Sequence, residues 1–208
     1  MNTPSTEIQP HHLFESIRLA DGAVELLDYH QARMDRSRRM LYPRSPALRL
    51  ADLLEELDLP RAGVHKLRIT YGPGLITHRT EPYVARPVSS LRLLDANELH
   101  YRRKVEDRST LRAHFDRRGG RDDVLLVQHG LLTDTSYANV ALFDGNRWYT
   151  PAWPLLPGTR RAQLIAAGEL TPALIRERDL PHFSKLRLIN AMLEWGRGPE
   201  VRGEQITR

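Results

Sequence analysis

The chain has 208 residues, of which 40% are hydrophobic and 27% are charged, and its formal net charge is +5. This length allows one large domain or two small ones, and no apolar run approaches the roughly 18 residues that a membrane span needs. The absence of cysteine excludes disulfides, thiolate metal sites and cysteine nucleophiles. The polar start, Met1 to Gln9, lacks the basic and apolar regions of a secretory signal, which predicts a cytoplasmic protein.

The first part of the chain predicts a mixed α and β structure. Leu13 to Leu19 alternates apolar and polar side chains as a strand does, and Asp21-Gly22 supplies a hairpin turn. The elements predicted next are a helix from Asp28 to about Met40, a helix opening at Ser45-Pro46, and a strand from Val64 to Tyr71 with Leu67, Ile69 and Tyr71 on one face. We therefore expect a polar leader at residues 1–12 and an N-terminal α+β lobe at residues 13–86.

A stretch with two prolines separates this lobe from the rest of the chain. The stretch runs from Arg79 to Asn97, and proline is poorly tolerated inside helices and central strands. We therefore place an interdomain segment at residues 87–97, although Leu91 to Leu94 within it is also compatible with a short strand. Residues 98–208 are then expected to form the second lobe.

The second lobe is expected to be rich in β-sheet. Its predicted elements are a buried strand at Val124–Val127, strands at Ala138–Phe143 and Arg147–Thr150 joined around Asp144-Gly145-Asn146, a helix from Gly158-Thr159 to about Ala167, a helix opening at Thr171-Pro172, and a final strand at Leu186–Met192. The fold class expected from the whole pattern is α+β, with a small N-terminal lobe and a sheet-rich C-terminal lobe.

Arginine dominates the basic residues, because only Lys66, Lys104 and Lys185 among the 31 are lysines. A genome-wide codon bias is the simpler explanation, and nucleic-acid binding is a minor hypothesis because arginines alternate with acidic residues. A guanidinium stays protonated and cannot form an imine, so chemistry that requires a free amine must use one of the lysines. The nine histidines show no convincing ligand spacing, and no metal site is predicted.

Two segments carry residues suited to amine and phosphate chemistry. Lys104 lies beside Arg102 and Arg103, and partial burial would lower its pKa and favour the neutral amine; a solvated basic face is the simpler alternative. Gly158-Thr159-Arg160 leads a glycine loop into a helix, whose free N–H groups suit a phosphate, although many helices begin this way for capping alone. Arg33, on the first long helix, could add a cation or could simply be an exposed arginine.

A dense polar cluster from Leu132 to Val140 lies between two apolar strands. Polar side chains at the ends of buried strands need hydrogen bonds, so the cluster either builds a turn or lines a site. Asp134 is its carboxylate. Asn190 interrupts the last apolar strand, where capping is the simpler role.

An ordered series of motifs resembles the class IV aminotransferases. The series is Phe14-Glu15-Ser16-Ile17-Arg18, His30-Gln31-Ala32-Arg33, Lys104 to Arg108, Thr133 to Asn139, Thr150-Pro151 and Leu156 to Arg161. The family includes branched-chain and D-amino-acid aminotransferases and aminodeoxychorismate lyase, and the resemblance spans Leu13 to Met192. It implies the two-lobed fold type IV, with pyridoxal 5'-phosphate between the lobes, and a homodimer.

The resemblance also implies roles for individual residues. Lys104 matches the lysine that forms the Schiff base with the cofactor, and Arg33 matches a phosphate ligand. Gly158-Thr159-Arg160 matches the phosphate-binding helix start, and Asn139 matches an asparagine beneath the cofactor. Asp134 falls where larger members usually have glutamate, so that the partner of the pyridine nitrogen is one methylene shorter here.

Other matches concern the substrate. Tyr71 falls where lyase relatives often carry an arginine, and the ending Asn190-Ala191-Met192 is similar to the lyase branch, which makes Tyr71 and Asn190 the candidates for substrate contact. The strand that usually precedes the Phe-Glu motif is missing or replaced by the leader, and the interdomain segment is short. Part of the substrate pocket could therefore be open or supplied by a partner subunit.

The expected function is that of a pyridoxal-phosphate enzyme acting on a small amino substrate. A lyase reaction on aminodeoxychorismate, releasing 4-aminobenzoate and pyruvate, is favoured by the ending motif. Amino transfer to a 2-oxo acid is the alternative, because both reactions need the same active-site residues. A member that lost the cofactor and is non-catalytic or binds nucleic acid is a second alternative.

Overall fold

The computed structural model describes residues 12–208, so the predicted leader lies outside the described residues except for His12. Its strands form two sheets, one of four strands and one of nine. The strands of the small sheet are β1 (Leu13–Ala20), β2 (Ala23–Val24), β3 (Val64–Tyr71) and β4 (Leu75–Pro82). They are antiparallel in the order β2-β1-β3-β4. The mixed architecture confirms the α+β class.

The small sheet has one apolar face and one polar face because side chains alternate along its strands. Leu67, Ile69 and Tyr71 of β3 are buried on one face, as predicted, and pack with Met34 of helix α1 (Leu27–Leu41). The other face carries the intervening residues of β1 and β3. This polar face is the one that borders the candidate site.

The large sheet contains the C-terminal half of the chain and one earlier strand. Its strands are β5 (Leu91–Asp95), β6 (Asp123–Gln128), β7 (Leu131–Thr135), β8 (Asn139–Phe143), β9 (Trp148–Pro151), β10 (Thr171–Ala173), β11 (Lys185–Ile189), β12 (Glu200–Arg202) and β13 (Ile206–Thr207). The order is β10-β9-β8-β7-β6-β5-β13, and β11 pairs with β8 and β12. Leu125, Val140 and Leu188 are among the residues of its core.

Three further helices are α2 (Leu50–Glu55), α3 (Ser109–Asp116) and α4 (Thr159–Ala166). Helix α1 contacts α4, which brings the first half of the chain against the second. A second connection joins β1 to the loop before α3, where the N–H of Phe14 donates to the carbonyl of Lys104 at 2.9 Å. No helix in the described part of the chain is long and apolar enough to cross a membrane.

Several predicted elements need correction. Thr171-Pro172 does not open a helix but lies in β10, at the end of the large sheet, where the missing N–H of Pro172 can face away from the ladder. The short strand that the sequence allowed at Leu91 to Leu94 is confirmed as β5, which lies inside the predicted interdomain segment 87–97 and pairs with β6 and β13 in the large sheet. Helix α1 begins one residue before Asp28, so that Asp28 lies in the first turn and is not the N-cap.

Other elements differ because their apolar patterns are weak. Strand β4 was missed: it pairs only with β3, and most of its side chains are exposed, so no alternation marks it. Helix α3 was also missed because Leu111 is its one buried residue. Helix α2 begins at Leu50, later than the Ser45-Pro46 opening that the sequence predicted.

Candidate functional site

A cavity of about 220 Å³ lies between the polar face of the small sheet and the β7–β8 and α4 region of the large sheet. The predicted site residues that line it are Arg33, Lys104, Asp134, Asn139, Gly158, Thr159 and Asn190. These residues come from distant parts of the chain, and the fold brings them to one place. Arg160 and Tyr71 are not among the lining residues.

Lys104 provides a primary amine at the cavity wall. The residue is partly buried, and its Nζ lies 4.7 Å from the centre of the Phe14 ring. The pKa of Lys104 is lowered to about 7, and burial is the largest cause. Among the nearby positive charges, Arg33 lowers the pKa more than Arg68 and Arg108 do. Roughly half of the amine is then neutral at pH 7, whereas an ordinary lysine is almost fully protonated.

Arg33 is held by a buried carboxylate that the sequence analysis did not assign to the site. Its Nε donates to Glu15 Oε1 at 3.0 Å and its Nη2 to Glu15 Oε2. His30 Nδ1 lies 2.6 Å from the same Oε2, and the Tyr71 hydroxyl is 3.5 Å from Oε1. Burial alone would raise the pKa of Glu15, but Arg33 and His30 hold that pKa at about 2.

The Glu15 network leaves a recognisable signal in the sequence. Glu15 is a carboxylate between the apolar residues of a strand face, and His30 and Arg33 are three residues apart on one side of a helix. A carboxylate on a buried face requires charged or hydrogen-bonding partners. The need of Glu15 for such partners could have been predicted on that ground, whereas their identity depends on how helix α1 packs against the small sheet.

Asp134 lies on the opposite side of the cavity and receives only neutral hydrogen-bond donors among the described residues. Asn139 Nδ2 donates to Asp134 Oδ1 at 2.8 Å and to the carbonyl of Leu156 at 2.8 Å. The N–H of Leu156 donates to Asp134 Oδ2 at 2.9 Å. Burial raises the pKa of Asp134 to about 7, because the donated hydrogen bonds and the more distant charge of Arg161 offset it only in part.

The start of α4 provides a place for an anion. No side chain caps this helix, and the Thr159 Oγ1 is buried without a hydrogen-bond partner in residues 12–208. Gly158 precedes it, and a Cβ at that position would overlap Asn139 Oδ1, so the close approach of the loop requires glycine. Free N–H groups, an unpartnered hydroxyl and the nearby Arg33 are suited to a phosphate.

The side chains of Arg160, Tyr71 and Asn190 have other partners in this structure. Arg160 Nη2 pairs with Glu25, which also pairs with Arg18 of β1. Tyr71 is buried in the core of the small sheet beside Glu15. Asn190 follows the end of β11, and its Oδ1 accepts a hydrogen bond from the N–H of Met192 at 2.8 Å, although the residue also lines the cavity.

The arrangement combines an amine that can be neutral, an anion site and a buried carboxylate around one cavity. Such a set can capture a phosphorylated aldehyde through the amine and hold its phosphate at the α4 start. No group of three or more histidine or carboxylate side chains suited to a metal ion occurs in the part of the chain that the structure describes.

Comparison with known proteins gives one family and relatives of similar length. A family model described as amino-transferase class IV matches residues 12–201. An uncharacterized protein of Haemophilus influenzae is 30% identical over 183 residues, which cover 86% of this chain and 97% of that protein.

Two similar solved structures carry different proposed activities. A Haemophilus somnus protein proposed to be a 4-amino-4-deoxychorismate lyase has a TM-score of 0.83 and 28% identity, covering 89% of this chain and 98% of that one. A Mesorhizobium loti protein proposed to be an amino-acid aminotransferase has a TM-score of 0.75 and 26% identity, covering 92% of this chain and 98% of that one.

Proposed function

The chain belongs to the amino-transferase class IV family, and from that premise we propose that it is a lyase that converts 4-amino-4-deoxychorismate to 4-aminobenzoate and pyruvate. The family uses pyridoxal phosphate, and the α+β architecture matches its fold type IV members. The observation that supports a pyridoxal-phosphate enzyme, of either reaction, is the partly buried Lys104 amine, with a pKa of about 7, on the same cavity as Arg33 and the α4 start.

The cavity lining fits the chemical groups of this cofactor. Lys104 would supply the amine for its aldehyde, Arg33 and Thr159 would supply donors for its phosphate, and Asp134 would supply a carboxylate for its ring nitrogen. When bound, pyridoxal phosphate supplies a sink for the electrons released as a bond at the amino-bearing carbon breaks. The remaining work belongs to the residues of this chain.

Lys104 is proposed to move the proton. Once the amino group of the substrate has taken the place of Lys104, the lysine Nζ, whose pKa as a free amine is about 7, would take the proton from the amino-bearing carbon. It would pass that proton to the enolpyruvyl group as the neighbouring C–O bond breaks, so that this group leaves as pyruvate. Arg33 stays charged and is held in place by Glu15, so it would bind the phosphate without changing its protonation state. Asn139 and the Leu156 N–H orient Asp134, whose side chain is one methylene shorter than the glutamate of larger members.

The lyase is favoured over amino transfer by two observations. The Haemophilus somnus protein, proposed to be such a lyase, has the higher identity and TM-score of the two solved structures. Asn190, Ala191 and Met192, the segment similar to the lyase branch, line the cavity. Amino transfer to a 2-oxo acid remains the second candidate, supported by the likeness to the Mesorhizobium loti protein.

Cofactor capture by Lys104 is the first test. Protein saturated with pyridoxal phosphate should absorb visible light, and after borohydride reduction the peptide with Lys104 should gain the mass of the cofactor. Lys104→Ala should lose both signals. Lys185→Ala is the matched control and should keep both signals. Lys185 lies on β11 of the large sheet and pairs with Glu200 of β12. A colourless preparation without the added mass would end the proposal.

The reaction itself needs a second assay. Incubation of the loaded protein with aminodeoxychorismate should yield 4-aminobenzoate. Rapid transfer from an amino acid to a 2-oxo acid with no 4-aminobenzoate would reverse the order of the two candidates. Salt-dependent retention on DNA or RNA by a protein without the visible band would instead support the non-catalytic alternative.

We also propose a cytoplasmic homodimer, as the family resemblance implies. Sedimentation of the loaded protein should give a dimer at micromolar concentration, and a monomer at every concentration would count against it.

A further inference from the structure

The polar face of the small sheet forms a cationic wall of the cavity that no step above has used. Phe14 and Ser16 of β1, and Lys66 and Arg68 of β3, all line the cavity. Ser16 and Arg68 lie directly opposite each other across the two strands. Their side chains therefore project from the same face, and a hydroxyl and a guanidinium adjoin each other at the cavity wall.

Arg68 and Ser16 have hydrogen-bonding capacity for a ligand. Arg68 Nη2 donates to Glu106 Oε1 at 3.2 Å, and both side chains are partly exposed. Glu106 is the one acceptor that the described residues offer to Arg68, whereas a guanidinium has five N–H donors. The Ser16 hydroxyl has no hydrogen-bond partner in residues 12–208. Lys66 adds a positive charge, although its ammonium pairs with Glu81.

Phe14 connects this wall to the reactive amine. The guanidinium carbon of Arg68 lies 3.8 Å from the centre of the Phe14 ring, and Lys104 Nζ lies 4.7 Å from the same centre. Both cations thus contact a single aromatic side chain. Because Lys104, Phe14 and Arg68 all line the cavity, a substrate held with its amino group beside Lys104 shares that cavity with the Arg68 guanidinium.

We propose that Arg68 and Ser16 form a subsite for a carboxylate that the substrate carries in addition to any carboxylate on its amino-bearing carbon. The inference rests on the proposed function, because it names the substrate class of the same site. A carboxylate can take parallel hydrogen bonds from a guanidinium and a third from a hydroxyl. Two kinds of molecule share this chemistry, the cyclic aminodeoxychorismate and an open-chain amino dicarboxylate such as glutamate.

The first test compares ligands on the unmodified protein. The visible band of the pyridoxal-phosphate-loaded protein is titrated with aminodeoxychorismate, with glutamate, and with norvaline, in which a methyl group replaces the distal carboxylate of glutamate. At least one of the two dicarboxylates should half-saturate the protein at a concentration about tenfold or more below that of norvaline. The better of the two identifies the source of the carboxylate. Equal half-saturation by all three overturns the inference.

The second test removes the guanidinium. Arg68→Met should raise the half-saturating concentration of the preferred dicarboxylate roughly 10- to 100-fold and leave that of norvaline within about 3-fold. Arg79→Met is the matched control, because Arg79 pairs in register with Arg68 on β4 but is 74% exposed and does not line the cavity. This control should leave both ligands within about 2-fold.

A further variant and a stability measurement distinguish a lost contact from a folding defect. Arg68→Lys keeps the charge without the planar fork, and its loss for the dicarboxylate should be intermediate. A thermal melt of each variant identifies any that fails to fold. If Arg79→Met weakens the dicarboxylate as much as Arg68→Met, or if norvaline weakens equally, the contact does not exist.

The two levels of the proposal fail in different ways. A protein that takes up no pyridoxal phosphate loses both the proposed function and this subsite. A protein that takes up the cofactor on Lys104 but binds norvaline as well as the dicarboxylates keeps the proposed function and loses the subsite alone.

Discussion

Two buried carboxylates have opposite charge preferences: Glu15 binds Arg33 from outside the cavity lining, and Asp134 lies on the cavity wall. Glu15, on the small sheet, binds Arg33 and His30, and its pKa is about 2. Asp134, on the large sheet, binds the amide of Asn139 and the N–H of Leu156, and its pKa is about 7. Both side chains are withdrawn from water, so burial does not explain the difference.

The charge of the partner decides the outcome. Burial raises the pKa of each carboxyl, but the contacts of Glu15 with the Arg33 guanidinium and with His30 together outweigh it. Neutral donors, with the charge of Arg161 at a distance, do not outweigh it at Asp134. The Glu15–Arg33 pair therefore keeps its charges at neutral pH, whereas Asp134 titrates there.

The largest expected effect comes from removing the charged partner of Glu15. Arg33→Gln should lower the free energy of unfolding by about 3 kcal/mol, because it leaves a buried carboxylate without its cation. Asp134→Asn should cost less, about 1–2 kcal/mol at pH 7, because it leaves no buried charge, although its single acceptor oxygen can serve only one of the two donors, Asn139 Nδ2 and the Leu156 N–H. Urea unfolding of the cofactor-free variants measures both.

A double variant provides the control. Arg33→Gln combined with Glu15→Gln removes both charges and should recover a substantial part of the loss. If the double variant is as unstable as the sum of the two single variants, the Glu15–Arg33 contact is not the cause.

A pH series should separate the two carboxyls next. The pKa of Asp134 is raised from 3.8 to about 7, so between these values the folded protein keeps a proton that the unfolded chain has lost. The contribution of Asp134 to the stability of the cofactor-free protein should therefore fall as pH rises from about 4 to 7, by up to about 1.4 kcal/mol per pH unit. Glu15, with a lowered pKa, acts in the opposite direction, since its contribution is lost as pH falls from 4.5 towards about 2.

The difference between wild type and Asp134→Asn isolates this contribution, because every other titrating group is shared. The free energy of unfolding of the wild type, minus that of the variant at the same pH, should fall as pH rises from 5 to 7. A difference that stays constant would show that Asp134 titrates in the folded protein as it does in the unfolded chain.

A smaller effect is expected at the loop that supports Asp134. Gly158→Ala would press a methyl group onto the Asn139 amide, which is held by Asp134 and Leu156 and cannot easily move, at a cost of about 1–3 kcal/mol. Gly120→Ala is the control, because nothing lies within 4 Å of the added methyl. Thermal melts compare the two, and equal stability of both variants would contradict the tight approach at Gly158.

The sequence predicted best what depends on local pattern. β3 matches its predicted bounds because alternation is continuous there, and α4 follows the glycine that opens it. The scarcity of lysine makes Lys104 a candidate for amine chemistry. The sequence suggests the adjacent arginines as the charges that shift its pKa. The larger charge effect comes from Arg33, which is distant in sequence and near only because α1 packs against the small sheet.

The sequence could not predict contacts between distant segments, because these contacts also depend on how the elements pack. The pairing of Glu15 with His30 and Arg33, and that of Glu25 with Arg160, depend on how helices dock on the sheets. The periodicity of apolar residues specifies each element, but it does not specify how the elements dock. The roles that the family resemblance gives to individual residues stay predictions until the cofactor is bound and each residue is changed.

Substitution of Arg160 is expected to have the smallest effect on stability. It also distinguishes a direct role of Arg160 in binding the phosphate from an indirect one. Its guanidinium pairs with Glu25, which also binds Arg18, so it ties the α4 start to the first hairpin. Because the pair is partly exposed, Arg160→Gln and Glu25→Gln should each cost no more than about 1 kcal/mol of stability. If Arg160 acts only by positioning α4, both variants should weaken pyridoxal phosphate binding by a similar small factor, roughly 2- to 5-fold, and the double variant should be no worse. A much larger loss in Arg160→Gln alone would instead mean that its side chain leaves Glu25 and binds the phosphate directly, as the family resemblance predicts.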